Sequence, residues 1–153
     1  METSSKKGIA VNDLAALKKV LDAQCNVYEK LLELEGEKTQ ALVSGDTQAL
    51  LHLMNAQQAL LMQSKGLETQ RIGLCSDTKC ATLREMIKSS KECQSTLEPV
   101  YETLRITIGA LKKKNALNKK LVDTRLATIH FMNRQLGLDE NSGTYSKTVQ
   151  TSI

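Results

Sequence analysis

The amino-acid sequence predicts an all-α protein, built as an antiparallel helical bundle, from its composition and its apolar periodicity. Aromatic residues make up 3% of the 153 residues, with one Phe, three Tyr and no Trp, and Pro occurs once. Strands favour aromatic and β-branched residues, and hairpins favour Gly, Pro and Asn turns, so this composition disfavours sheets. Ala, Leu, Lys, Glu, Gln and Met, which lose little on entering a helix, fill the chain instead. The apolar residues recur at steps of three, four and seven, which is the spacing of one helical face.

A long helical hairpin is expected in the first half of the chain. Asn12 or Asp13 can cap a first helix, which ends at the segment Ser44-Gly45-Asp46 because Gly can close one helix and Asp can cap the next. So short a connection forces the second helix to run antiparallel to the first. The second helix is predicted over about Thr47 to Leu74.

A short third helix and a long C-terminal helix are expected to follow. The segment Ser76-Asp77 offers a cap for the third helix, which fades near Ser89-Ser90. Pro99 suits the first turn of the last helix, because its missing N–H would be unsatisfied there anyway. From there a heptad seam continues without a slip to Leu136, and Gly137 ends it. This is the longest helical pattern in the chain.

The chain length fits one domain with a tail. Residues 1–138 are predicted to form a single helical domain, and residues 139–153 a flexible tail, because that segment is polar, rich in Ser and Thr, and without periodicity. The longest apolar run has four residues, at 59–62, so no membrane insertion is expected. The N-terminus lacks a signal-peptide stretch, and the four cysteines fit no metal-site spacing. A cytoplasmic protein with reduced, packed thiols is predicted.

Catalytic or metal chemistry is not expected. His52 and His130 stand alone, and neither has a Glu three residues before it, the pairing that carboxylate-bridged metal bundles use. The HExxH motif, the Gly-rich phosphate loop and the nucleophile elbow are also missing. Glu33, Glu35 and Glu37 follow one another at steps of two and therefore point around a helix, not along one face. We predict a protein that is not an enzyme and has no cofactor and no metal.

A basic run in the last helix is the densest charge feature. Residues 112–114 are all Lys, and Lys119, Lys120 and Arg125 follow. The lysines keep off the apolar stripe, so a solvated back face is one interpretation and a face for an acidic partner is the other. Nucleic acid is not expected as a partner, since stacking aromatics and a reading motif are absent.

Polar residues interrupt the helical seams. Asn115, Asn118 and Arg125 occupy positions where a closed core would favour Leu or Ile, and an unpaired buried polar group costs about 1 to 3 kcal/mol. Either these side chains bond one another and neighbouring helices within a self-sufficient bundle, or the bundle is weakly closed and can open a groove to a partner helix. The other seams carry the same type of residue at Gln24, Glu35, Lys38, Gln57, Ser64 and Arg71.

Several short segments follow one another in an order that is informative as a set. They are Leu31-Leu32-x-Leu34, Ala41-Leu42-x-x-Gly45-Asp46, Leu50-x-x-Leu53, Leu67-Glu68-x-x-Arg71-x-x-Leu74, Asn115-x-x-Asn118-x-x-Leu121-Val122 and Thr144-Tyr145. In this order they resemble the FlgN family of flagellar export chaperones, over roughly Leu14 to Tyr145. The resemblance implies a cytosolic helical chaperone that binds hook-associated filament-junction proteins and delivers them to the flagellar type III export gate.

The resemblance also implies two sites. Family members hold the cargo's C-terminal segment through their own C-terminal helical region, which corresponds here to about Leu111 to Leu136. The expected cargo-binding residues are Leu111, Asn115, Asn118, Val122, Leu126, Ile129, Met132 and Leu136. The alternative is that these residues form the bundle's own core. Tyr145 matches the tail tyrosine that is thought to dock on the export gate, although Ser146-Lys147-Thr148-Val149 follows it where family tails often continue to a Gly.

Two other classes of protein stay open at this level. One is a coiled-coil adaptor or structural protein that self-associates into a homo-oligomer through the long seam. The other is a binder of acidic polymers that uses the face from Lys112 to Arg125, and its affinity would fall steeply with salt.

Overall fold

The computed structural model describes residues 11–76 and 82–137, with side chains from residue 13 onward, and these residues form four helices. The helices are α1 (Val11–Ser44), α2 (Thr47–Cys75), α3 (Leu83–Ser89) and α4 (Lys91–Gln135). The described residues contain no strand, and the all-α prediction of a long hairpin, a short third helix and a long last helix is confirmed. None of these helices combines the length and the apolar character needed to cross a bilayer.

The hairpin turn forms as predicted. Gly45 has φ 73°, a left-handed conformation that Gly adopts without steric cost, and it ends α1. Asp46 then caps α2, since its side chain accepts a hydrogen bond of 3.0 Å from the backbone N–H of Ala49. The Asp46 N–H in turn donates to the Ala41 carbonyl at 3.0 Å. Both sides of the turn therefore satisfy backbone groups that helix ends leave open.

The cap of the third helix was predicted wrongly. Ser76 is the C-cap of α2, and Asp77 lies outside the described residues. Thr82 caps α3 instead, in an extended conformation, and its hydroxyl accepts from the Glu85 N–H at 3.1 Å. This position directly precedes the turn that buries Met86 and Ile87, so the cap is set by where the apolar face begins.

The start of α4 was also predicted wrongly. The helix begins at Lys91 with Ser90 as its cap, whose hydroxyl accepts from the Cys93 N–H at 3.1 Å, and Pro99 lies inside the helix. Proline within a helix costs about 3 kcal/mol. Burial of Cys93 and Leu97 before Pro99, worth up to about 1.5 to 3 kcal/mol for each large apolar side chain, offsets that cost and keeps the helix continuous.

The long helices run up, down and up, with α1 in the middle. Contacts join Cys25 to Val100, Glu35 to Asn118 and Val43 to Arg125, so the residue numbers of α1 and α4 rise together and these two helices are parallel. Helix α2 is antiparallel to both. It packs on α1 alone and buries no residue fully, and α2 and α4 do not pack against each other within the described residues.

A cluster of buried apolar side chains, which we call the apolar core, lies at one end of this arrangement. It is formed by α1, α3 and the first half of α4, and its buried members are Leu14, Leu17, Leu21, Cys25, Met86, Ile87, Cys93, Leu97, Val100 and Leu104. Two of the predicted packed thiols, Cys25 and Cys93, are in this core, and burial raises the pKa of Cys25. Cys75 is half-buried, and Cys80 lies outside the described residues.

Candidate functional site

Helix α4 extends past the end of the hairpin. The Arg125 guanidinium donates to the Val43 carbonyl at 3.2 Å and lies 3.1 Å from where a Cβ on Gly45 would stand. Arg125 thus marks the point on α4 where α1 ends. Residues 126–135 continue the helix by about 15 Å beyond that point.

The expected cargo-binding residues fall into two groups along α4. Ile129, Met132 and Leu136 lie beyond the end of α1 and are 50%, 53% and 69% exposed. Earlier on the same stripe, Asn118 is buried, Asn115 is exposed but bonded to Glu35, and three apolar side chains are half-buried. These three are Leu111, Val122 and Leu126. The stripe that packs on α1 therefore continues as an apolar surface after its partner helix has ended, and we call Ile129, Met132 and Leu136 the distal face.

Phe131 is a further exposed apolar side chain in this region, and it is absent from the sequence-based set. It is 55% exposed and lies roughly 160° around the helix from Ile129. Heptad periodicity passes over it for that reason. The available signal was compositional, because Phe131 is the single phenylalanine of the chain.

A buried carboxylate joins the three long helices. The Glu35 side chain of α1 is 0% exposed and accepts hydrogen bonds from Gln57 of α2 at 2.8 Å and from Asn118 of α4 at 2.6 Å. Lys38 donates to the same carboxylate at 3.2 Å and Asn115 at 3.3 Å. We call these five residues the polar junction. Helices α2 and α4 do not pack on each other, but at the polar junction both donate hydrogen bonds to the Glu35 carboxylate.

Asn118 holds the junction in two further ways. Its amide also donates to the main-chain carbonyl of Glu35 at 2.8 Å, and its own carbonyl accepts from the Thr39 hydroxyl at 2.6 Å. Among the described residues, no buried side-chain polar atom lacks a hydrogen-bond partner. The structure therefore shows the first of the two interpretations of the polar seams, in which these side chains form hydrogen bonds with one another.

The charge state of Glu35 follows from these contacts. Burial by itself raises its pKa, but the hydrogen bond from Asn118, the positive charge and hydrogen bond of Lys38, and the hydrogen bond from Asn115 together lower the pKa below its ordinary value. The Glu35 carboxylate is therefore ionised at neutral pH and accepts hydrogen bonds from the other four residues of the polar junction.

The remaining polar candidates do not form a reactive cluster. Glu33 and Glu37 are exposed while Glu35 is buried, which confirms that steps of two separate these carboxylates. His52 and His130 are both exposed. Within residues 11–76 and 82–137, no group of His, Cys, Asp and Glu side chains could hold a metal ion.

The basic run lies on the solvent side of α4, as its spacing predicted. Lys112, Lys113, Lys119 and Lys120 are exposed, and Lys114 is half-buried. None of the ion pairs recorded for the described residues involves these lysines. Tyr145, the expected gate-docking residue, lies outside the described residues.

Three long helices and one short helix make this a small all-α protein, and its last long helix carries an exposed apolar end. The chain belongs to the FlgN family, because the family model described as "FlgN protein" matches residues 13–153. This match confirms the resemblance to the FlgN family that the order of the short sequence segments indicated. Membership implies a role as a flagellar export chaperone, and this family is one of chaperones and not of known enzymes.

One curated relative matches most of the chain. The uncharacterized protein YvyG of Bacillus subtilis (strain 168) is 31% identical over 137 residues, and the match covers 84% of this chain and 84% of the relative. No solved structure matches the chain.

Proposed function

We propose that this protein is a cytoplasmic export chaperone that binds hook-associated filament-junction proteins and delivers them to the flagellar type III export gate. Membership of the FlgN family supports the chaperone role. The distal face of α4 carries the finer part of the proposal, because it is an apolar stripe that has lost its partner helix.

The binding mode follows from that geometry. Before Arg125, the apolar stripe of α4 packs on α1. After Arg125, α1 has ended, so a cargo helix can pack on the stripe in the position that α1 would otherwise take. Ile129, Met132 and Leu136 would then serve as anchors at steps of three and four, as in other complexes in which a helix binds an apolar face. Full burial of a large apolar side chain is worth up to about 1.5 to 3 kcal/mol, and these side chains are already partly covered. Such binding is reversible, which suits a cargo that must leave for the export channel.

The upstream part of the expected cargo surface has a different standing. Val122 and Leu126 are half-buried and adjoin the distal face, so a longer cargo helix can reach them. Leu111 is half-buried and lies seven residues before Asn118 on the same helix face, and the amides of Asn115 and Asn118 are engaged by Glu35. A cargo role for these three residues stays a prediction that requires α1 to move away from α4.

The test is a calorimetric titration of the full chain with the C-terminal segment of a hook-associated protein from the organism that encodes it, at two salt concentrations. We expect saturable binding that survives the higher salt, because apolar anchors carry it. Absence of binding at both salts would contradict the proposal. If the free chain instead shows a concentration-dependent size in sedimentation, the chain associates with a second copy, which is the self-associating alternative.

Tyr145 is proposed to act in docking on the export gate. Replacing it with Ala should leave the affinity for cargo unchanged and weaken binding to the purified gate component, and Tyr145→Phe separates the ring from the hydroxyl. Binding is read by calorimetry with each partner in turn, and secretion of the cargo is read in cells. Unaltered secretion in the Tyr145→Ala strain would remove this residue from the proposal.

A further inference from the structure

A cleft lies between α2 and α4, with α1 as its floor. It exists because both outer helices pack on α1 and not on each other. Its volume is about 590 Å³, and Leu21, Gln24 and Tyr28 of α1 line its floor. The α4 residues that line it run from Tyr101 to Lys112, which corresponds to about 17 Å of helix, or roughly three turns.

The cleft contains residue types that are enriched in the energetic centres of protein interfaces. Both tyrosines of the described residues line it, and each ring is half-buried and held by a partner. The Tyr28 hydroxyl accepts from Ser64 at 3.3 Å, and the Tyr101 hydroxyl accepts from Arg84 at 3.3 Å. Tyrosine and arginine dominate such centres because they combine a large contact area with a polar end.

One rim of the cleft is basic. Arg105 and Lys112 line the cleft, and Lys119 follows on the same side of α4, since steps of seven return to nearly the same angle. Arg105 pairs with the exposed Glu102. Lys112 and Lys119 take part in none of the ion pairs recorded for the described residues, so their charges are available to a partner.

On the opposite rim the two α2 residues that line the cleft, Glu68 and Arg71, pair with each other, and the apolar side chains of this rim lie further along α2. Glu68 of α2 lines the cleft, and Leu61 and Met54 precede it at steps of seven, so they lie on the same side of α2. Both are about half exposed. A helix that enters the cleft would thus meet apolar side chains on one side and ammonium groups on the other.

We propose that this cleft is a docking site for an acidic amphipathic helix of a partner protein. The apolar face of such a helix packs on Tyr28, Tyr101 and the α2 rim, and its carboxylates pair with Lys112 and Lys119. A helix in this position would complete a four-helix arrangement around α1 and would bury the side of α2 that is now exposed. The site is separate from the distal face, and the proposal does not rest on cargo binding there.

The first measurement uses a designed peptide as the probe. It has about eighteen residues, roughly 27 Å of helix, which matches the rise from Tyr101 to Lys119, with Leu on one face, Glu along one flank and a fluorophore at one end. Fluorescence anisotropy with the full chain should show saturable binding that weakens as salt rises, because the ion pairs are exposed. The same peptide with Lys in place of Glu should bind at least tenfold more weakly. Equal binding of the two peptides, or none by either, would overturn the proposal.

Gly109→Leu tests the location of the site. Gly109 lines the cleft, and a Cβ there would meet nothing within 4 Å, so the Leu side chain enters open space and occupies the cleft. The variant also removes a helix-destabilising glycine, so it should fold. We expect at least a tenfold loss of affinity for the Glu peptide. The matched control is Gly66→Leu on α2, which is equally open but lies outside the cleft lining, and it should bind like the parent chain.

A charge reversal tests the recognition itself. In the variant Lys112→Glu with Lys119→Glu, preference should pass from the Glu peptide to the Lys peptide. Unchanged preference would overturn the assignment of these two lysines. Dimerisation of the parent chain that Gly109→Leu abolishes would assign the cleft to a second copy instead. Displacement of the Glu peptide by a single-stranded oligonucleotide would assign it to nucleic acid, and either result replaces the proposal.

Discussion

Replacing Asn118 with Ala should lower the free energy of unfolding by about 3 kcal/mol, because the change leaves a buried charge short of its strongest donor. The Asn118 amide donates to the Glu35 carboxylate at 2.6 Å and to the Glu35 main-chain carbonyl at 2.8 Å. The same change deprives the Thr39 hydroxyl of an acceptor. Chemical denaturation followed by circular dichroism measures the loss.

Asn115→Ala is the matched control. It removes the same chemical group from the same helix, but Asn115 is exposed and its amide is 3.3 Å from the Glu35 carboxylate. Water can replace that bond, so the expected cost is about 0.5 to 1 kcal/mol. Equal losses in the two variants would show that the polar junction is not the source of the effect.

The pH dependence of stability gives a second readout of the same prediction. The pKa of Glu35 is lower in the folded than in the unfolded chain, so its stabilising contribution is present above the unfolded pKa and is lost as the pH falls through the folded pKa. The hydrogen bond from Asn118 is the largest single contribution among those that lower this pKa. The Asn118→Ala variant should therefore lose less stability than the parent chain between neutral and acidic pH, and a parallel profile would contradict the assignment.

The sequence predicted those parts of the fold that local chemistry determines. The turn at Gly45 and Asp46 was predicted because a left-handed glycine and a capping carboxylate act within a few residues of themselves. The start of α4 was predicted wrongly because the prediction used only the preference of Pro99 for the first turn of a helix. Burial of Cys93 and Leu97 in the core outweighs that preference, and such burial depends on residues distant in the sequence.

The candidate sites were predicted less completely, for a related reason. The heptad pattern identifies Glu35, Gln57 and Asn118 as polar residues at apolar positions. The hydrogen bond between Glu35 and Asn118, however, depends on the parallel register of α1 and α4. That register joins residues 83 positions apart in the sequence, and the periodicity of a single helix contains no information on it. The periodicity of a single helix does not contain the cleft, because the residues that line it come from four helices.

The paired substitution of Ile129 and Met132 by Glu should weaken capture of the cargo segment roughly a hundredfold, which corresponds to about 2.8 kcal/mol. Two carboxylates on the distal face would have to be buried without partners under an apolar cargo helix, and that desolvation opposes binding. In the free protein both positions are half exposed, so the new side chains reach water and the fold is expected to change in stability by only about 0.5 kcal/mol. Calorimetry measures the affinity, and circular dichroism the helical content.

The control variant Ala127→Glu tests whether the loss of binding depends on where the negative charge is placed. Ala127 is exposed on the same overhanging part of α4, but it lies roughly 160° around the helix from Ile129. The control should bind cargo like the parent chain, since its carboxylate stays in water when the distal face is covered. An equal loss in the control would mean that negative charge anywhere on this end of α4 repels the cargo. Loss of helical content in the paired variant would instead mean that Ile129 and Met132 stabilise the bundle itself, as the core interpretation of the seam requires.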